Sequence, residues 1–208
     1  MYISVLRLSR DDIQQIAIGN QGIFDAYTIH KLVYSLFPKE NENTRSFLYV
    51  DKGGDFRGKQ ILILSKNEPI IPQIGSVESR TVPETFLEQD FYGFEILMNP
   101  VRCDSKTHKK IPIRGNDKEA LRSWFLEKAD VNGFEVIKES LTVGNTSVLQ
   151  FSKDKQKVVL GKASFKGQLK VTDREKFIKA FENGLGKGKA YGFGLFQIIP
   201  LTKASVDA

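Results

Sequence analysis

Strand-like and helix-like stretches alternate along this chain in an order that few folds accept. Tyr2 to Leu8 is an apolar run suited to an opening strand. A first helix, Phe24 to Phe37, carries Ile29, Leu32, Val33 and Leu36 at i, i+3, i+4 and i+7, which makes one buried stripe. Pro38 forbids easy continuation. Ser46 to Val50 and Gln60 to Ser65 follow as two strands joined by a Gly53-Gly54 turn. Between Asn67 and Gln89 lie three prolines and no helical period, so a second helix there is short or missing.

A fuller round comes next. Phe91 to Met98 reads as a strand ending at Asn99-Pro100, and a helix runs from about Asp117 to Lys128, with Asn116 and Glu119 at cap spacing. Strand-prone segments cover Phe134 to Val143, Thr146 to Phe151 and Val158 to Val171. Another helix starts at Thr172, which with Glu175 matches a capping box, and Gly184 stops it. Phe177, Ile178 and Phe181 give it one apolar face. Leu195 to Pro200 is the last strand, and Thr202 to Ala208 a frayed tail. Strand-helix-strand-strand-helix-strand is the ferredoxin-like unit. The order predicts an α+β fold of two tandem ferredoxin-like (RRM-like) βαββαβ domains, the first incomplete, over residues 1–88 and 89–208.

Charge divides along the same line. Residues 1 to 90 hold ten Lys/Arg against twelve Asp/Glu, and residues 91 to 208 hold twenty-one against thirteen. The basic C-terminal half suits a polyanionic partner, and equally a solvated lysine-rich surface. No stretch approaches the ~20 apolar residues that span a bilayer. The start of the chain is too short in apolar run to be a secretory signal, and the single Cys103 forms no internal disulfide. These features fit the cytoplasm.

Three stretches could carry chemistry. His30 lies about 100° from the centre of the first helix's buried stripe, on its flank. Tyr27 and Tyr34 fall three before and four after it, on one stripe of rings. A histidine so placed is suited to trading protons near neutral pH, and also to simple packing against two tyrosines. The second stretch, Asn183 to Leu195, holds Gly184, Gly186, Gly188, Gly192 and Gly194 with Lys187 and Lys189 between them. Such a loop lets backbone amides and ammonium groups approach phosphates. It lacks the third glycine of a dinucleotide fingerprint, and Gly188-Lys189 runs into Ala190 where a Walker loop needs Ser or Thr. The third feature is basic density: Arg102, Lys106, His108, Lys109, Lys110 and Arg114, then Lys153, Lys155, Lys157, Lys162, Lys166 and Lys170. Lys162, Lys166 and Lys170 are four apart and share a strand face. Both runs fit phosphate contacts, which supply affinity and salt dependence but little sequence information. With two histidines far apart and one cysteine, no metal-ligand spacing occurs, and the carboxylates between Glu78 and Glu95 form no marked pair.

Taken together, these residues resemble the CasE family of CRISPR-associated endoribonucleases, the repeat-processing subunit of type I-E Cascade. Tyr27-Thr28-Ile29-His30 followed by Leu36-Phe37-Pro38 is similar to the family's Tyr-x-x-His helix ending in Leu-Phe-Pro. Asn99-Pro100-Val101 and then Lys109-Lys110-Ile111-Pro112-Ile113 resemble its Asn-Pro segment and basic pair. Gly184-Leu185-Gly186, Lys189, Gly192-x-Gly194-Leu195 and Pro200-Leu201 resemble its C-terminal glycine signature, from which Lys187 and Gly188 depart.

The resemblance implies metal-independent cleavage of CRISPR repeat RNA hairpins by 2′-hydroxyl attack, with no cofactor. It places the catalytic histidine on His30 and its companion tyrosine on Tyr27. RNA contacts fall to Arg102, Lys109, Lys110, Arg114, Lys162, Lys166, Lys187, Lys189 and the glycine-rich loop. Other Cascade subunits are the implied protein partners, and no membrane is. The runner-up is a non-catalytic RNA-binding scaffold of the same fold. A third reading is a ferredoxin-like protein whose glycine loop holds a small phosphorylated molecule.

Overall fold

The opening apolar run forms β1 (Tyr2–Ser9), and its last residue immediately begins a helix, α1 (Arg10–Gly19). Ser9 and Asp12 cap each other there: the Asp12 amide donates to Ser9 Oγ at 3.1 Å and the Ser9 amide to Asp12 Oδ2 at 2.7 Å. The chain then turns through Gln21 and Gly22, both at positive φ, into α2 (Ala26–Ser35). β2 (Phe47–Asp55), β3 (Gly58–Ser65) and β4 (Ser76–Thr81) complete the first sheet. This computed structural model describes residues 1–37, 45–55, 58–104, 106–107, 109–153 and 156–202. Pro38, His108, Lys155 and the tail from 203 onward lie outside the described residues.

The first sheet is antiparallel with order β2-β3-β1-β4. That is the strand order of a ferredoxin-like unit, and residues 66–75, between β3 and β4, form no helix. Alternation fills its core. Leu6 and Leu8 of β1 and Ile61 and Ile63 of β3 bury one face against Ile29, Val33 and Leu36. Those three are the α2 stripe that the helical period marks.

The second sheet repeats the plan. β5 (Phe91–Met98) leads through a short ribbon of β6 (Val101–Cys103) and β7 (Lys110–Pro112) to α3 (Lys118–Val131). β8 (Phe134–Val136), the long hairpin of β9 (Thr142–Lys153) and β10 (Gln156–Val171), α4 (Arg174–Asn183) and β11 (Phe196–Leu201) follow. The order β11-β5-β10-β8 is again ferredoxin-like, with β9 added on β10. Its core is aromatic: Phe125 stacks on Phe165 at 4.4 Å, and Phe94, Phe134 and Phe177 surround Phe196. The fold is therefore α+β with tandem ferredoxin-like domains, the first lacking its second helix.

By contacts the chain forms two units. The first takes in Met1–Val82, Gln150–Val158 and Lys189–Gly192, and the second holds the other described residues. Several local expectations are corrected. Gly53-Gly54 does not form the β2–β3 turn; it lies inside β2, where the register shifts between Asp51 and Gly54 and Gly54 pairs with Lys59. The α3 cap is Asp117, not Asn116, because the Asp117 carboxylate accepts from the Ala120 amide at 2.9 Å. For α4 it is Asp173, not Thr172, through the Lys176 amide at 3.1 Å. The 134–143 stretch is broken after Val136 by a 3-10 turn, Lys138–Ser140. α1, β4 and the β6–β7 ribbon have no counterpart in the sequence pattern.

Candidate active site

Asp25 sets the start of α2 and thereby the azimuth of everything on it. Its carboxylate accepts from the amides of Tyr27 at 3.0 Å and Thr28 at 2.9 Å, and from the Thr28 hydroxyl at 3.0 Å. Ile29 and Val33 then point into the core, which leaves His30 half-buried on the flank of the helix. Tyr27 stacks on the imidazole, centroids 5.6 Å apart and planes 14° apart, and Tyr34 sits on it at 4.1 Å. Lys31 lies over the other ring of the pair, its Nζ 5.2 Å from the Tyr27 centroid.

A second element completes the surroundings. Lys189–Tyr191 forms a 3-10 turn that the first unit includes. Tyr191 packs on His30 at 5.4 Å and on Phe151 at 4.5 Å, and Phe151 stacks with Tyr27 at 6.4 Å. The Ala190 carbonyl lies 2.9 Å from His30 Nδ1. A carbonyl only accepts, so Nδ1 carries a proton and the neutral ring has its lone pair on Nε2. Nε2 has no hydrogen-bond partner among the described residues. Gly192 closes the turn at φ +83, and a Cβ there would press on Tyr49 Cε2 at 3.2 Å.

Electrostatics favour the neutral imidazole. Burial is the main cause that lowers the His30 pKa below its ordinary value of 6.5; the Ala190 bond raises it, while the charges of Lys153, Arg45 and Lys31 lower it further. A half-buried imidazole, ringed by aromatics and cations and with its free nitrogen basic, is equipped to accept a proton beside an anion.

The other sequence-derived residues distribute as follows. Arg102 and Lys110 lie on the β6–β7 ribbon, with Lys109 and Arg114 flanking β7, all exposed. Lys162 and Lys166 lie on β10, opposite the buried Ala163, Phe165 and Leu169 face, and Lys166 pairs with Glu95 at 3.2 Å. Lys187 bridges to Asn99 through the backbone. All of these belong to the second unit, whereas Lys189 and Gly192 belong to the first with His30 and Tyr27. Gly184 caps α4, and Gly186 and Gly188 take positive φ. Two amides of this loop are engaged internally: Leu185 donates to Gly194 O and Gly194 donates to Leu97 O. Residue patterns do not single out Tyr49, Phe151 or Tyr191. Tyr49 reads as one more apolar strand position, and only the glycine spacing around Tyr191 hinted at a functional turn.

Among the described residues there is no cluster of three or more His, Cys, Asp or Glu fit to hold a metal, and no helix long and apolar enough to cross a membrane. A family model described as CRISPR associated protein matches residues 1–200. The CRISPR system Cascade subunit CasE of Escherichia coli (strain K12) is 24% identical over 199 residues, covering 91% of this chain and 99% of the relative. CRISPR endoribonuclease Cse3 bound to 19 nt RNA matches with a TM-score of 0.78 at 17% identity, over 96% of this chain and 100% of that one. Thermus thermophilus Cse3 bound to an RNA representing a pre-cleavage complex matches with a TM-score of 0.77 at 16% identity, over 96% and 98%. With the family match running from the first strand through β11, the chain belongs to the CRISPR-associated protein family, in its CasE group.

Proposed function

We propose that this chain is an endoribonuclease that cuts CRISPR precursor RNA within its repeat hairpins and stays with the mature guide RNA as a Cascade subunit, in the cytoplasm. The similar CasE of Escherichia coli is a Cascade subunit, and the similar Cse3 is an endoribonuclease bound to RNA. One observation carries the chemistry: His30 has its Nδ1 proton committed to the Ala190 carbonyl, and its Nε2 lone pair is uncommitted among the described residues.

In this reading Nε2 takes the proton of the ribose 2′-hydroxyl upstream of the cut. The 2′-oxygen bonds to the adjacent phosphorus, the bond from phosphorus to the 5′-oxygen breaks, and that oxygen takes up the proton that the imidazolium gives back. The products are a 2′,3′-cyclic phosphate and a 5′-hydroxyl, and no step requires a metal. Tyr27, stacked on the imidazole, orients the phosphate or shares the proton transfer. Proton transfer by a positioned side chain is worth ~10²–10⁴ in rate. Arg102, Lys109, Lys110, Arg114, Lys162, Lys166, Lys187 and Lys189 supply phosphate contacts to the stem, the part of a duplex RNA that proteins recognise by shape and backbone. The N-terminal ferredoxin-like domain thus carries the catalytic helix and the C-terminal one most of the RNA-binding surface.

A repeat hairpin with a single 2′-deoxy nucleotide at the cut tests this. In EDTA the all-ribose hairpin is expected to be cut, and the deoxy hairpin to bind equally well and stay whole. Cutting of the deoxy hairpin, or loss of all cutting in EDTA, contradicts the mechanism. Tight binding of both with no cutting would instead assign the chain the role of an RNA-binding scaffold.

A further inference from the structure

Tyr49 is almost fully buried, 1% exposed, near the start of β2. A core position like that is usually filled by a residue with no polar atom, since a hydroxyl left without a partner there is costly. Here, among the described residues, the hydroxyl donates to the Ala190 carbonyl, at 2.8 Å. The same carbonyl oxygen takes the Nδ1 proton of His30 at 2.9 Å. A carbonyl has two lone pairs, so it serves both donors at once. Burial holds the Tyr49 phenol far above its ordinary range, so it remains a proton donor at every working pH.

The carbonyl belongs to a three-residue turn between two glycines at positive φ, Gly188 and Gly192. Such a segment has many accessible conformations when nothing holds it. β2 is the held member of the contact, for Phe47 to Asp51, Tyr49 among them, pair in continuous register with Ser65 to Ile61 of β3.

We infer that Tyr49 is a positioning residue for His30: its hydroxyl anchors the Ala190 carbonyl to the sheet, and the anchored carbonyl keeps the imidazole proton on Nδ1, with Nε2 bare. Tyr49 touches no reacting atom in this arrangement. Without the anchor, the turn loses its fixed acceptor and the neutral ring is free to place its proton on Nε2, the form that accepts nothing from a 2′-hydroxyl. The inference concerns the ring itself, and only its kinetic consequence rests on the proposed cleavage reaction.

The variant Tyr49→Phe deletes the hydroxyl and keeps the ring. Tyr92→Phe is its control, because Tyr92 is equally buried and donates to Phe86 O at 2.8 Å within the second unit. The chain has just two histidines, so ring nitrogens are readily assigned by long-range proton–nitrogen correlation spectra. In the free protein above pH 7, wild type and Tyr92→Phe should show His30 as the Nδ1–H form, and Tyr49→Phe should show a substantial Nε2–H fraction. An unchanged tautomer in folded Tyr49→Phe overturns the inference.

Under single turnover at saturating protein, Tyr49→Phe should cut about tenfold more slowly with hairpin affinity within about twofold of wild type. In the background of His30→Ala it should cost nothing more, since a residue acting through another is not additive with it. A further loss in the double variant also overturns the inference. If His30→Ala cuts at the wild-type rate, the catalytic reading falls while the tautomer measurement still decides the role of Tyr49. Should Tyr49→Phe fail to fold, 3-fluorotyrosine placed at position 49 alone carries the test. Its more acidic phenol competes harder for the shared carbonyl, so the His30 Nδ1 resonance must shift, and no shift overturns the inference.

Discussion

At the scale of single residues, His30 is the group whose surroundings do the most to its chemistry. Tyr27, Tyr34 and Tyr191 face its ring, the Ala190 carbonyl holds Nδ1, and Lys31, Arg45 and Lys153 lie near enough to repel a second positive charge. A base must be neutral to act, and the lowered pKa keeps His30 neutral at pH 7. Single-turnover cleavage should therefore rise with pH along a limb centred below 6.5 and level off above it. A limb centred at or above 6.5 contradicts this. The same shift links to folding. The unfolded chain binds the histidine proton first as pH falls, so stability is complete above the ordinary value and is lost through the lower, folded one. The helical period alone set His30 between Tyr27 and Tyr34. Tyr49 and Phe151 were hidden because strand alternation says only that a residue is buried, not which distant turn it meets, and Tyr191 because glycine spacing marks a turn without saying which ring it packs on.

Among elements, α2 decides whether the imidazole faces solvent or core. Its start is set by Asp25, whose carboxylate serves two amides and a hydroxyl. Asp25→Ala should lower folding stability by about 1 kcal/mol in urea denaturation, the usual worth of such a cap, and a change under about 0.3 kcal/mol would contradict that role. The elements that the residue pattern revealed are those with a dense apolar face. β5 runs Phe91–Met98 as alternation indicates, and the Ile29, Val33 and Leu36 stripe packs against β1 and β3. β4 was unreadable for the opposite reason. Ser-Val-Glu-Ser-Arg-Thr has a single apolar residue, and an edge strand needs only backbone pairing with β1. Both helix caps read one residue early have two cap-competent residues in a row, Asn116-Asp117 and Thr172-Asp173, and only φ and ψ choose between them.

For the whole molecule, two ferredoxin-like sheets share one strand order, β2-β3-β1-β4 and β11-β5-β10-β8. The succession of strands and helices was readable because β1, β3 and β5 carry dense apolar positions, whereas the division into units was less so. Short pieces distant in sequence, 150–158 and 189–192, join the first unit. Arg102, Lys109, Lys110, Lys162 and Lys166 belong to the second, and Lys153, Lys157 and Lys189 to the first. Replacing Arg102, Lys109 and Lys110 together by Ala should weaken hairpin binding at least about tenfold at moderate salt and flatten its salt dependence, while leaving the cleavage rate at saturation nearly unchanged. An unaltered salt slope would remove these residues from the interface. Single-turnover cutting of a repeat hairpin by His30→Ala at saturating protein decides whether one imidazole moves the proton in the proposed cleavage. The expected result is a rate constant reduced at least about 100-fold with the dissociation constant unchanged. A rate within a few-fold of wild type, or a loss of affinity as large as the loss of rate, would contradict it.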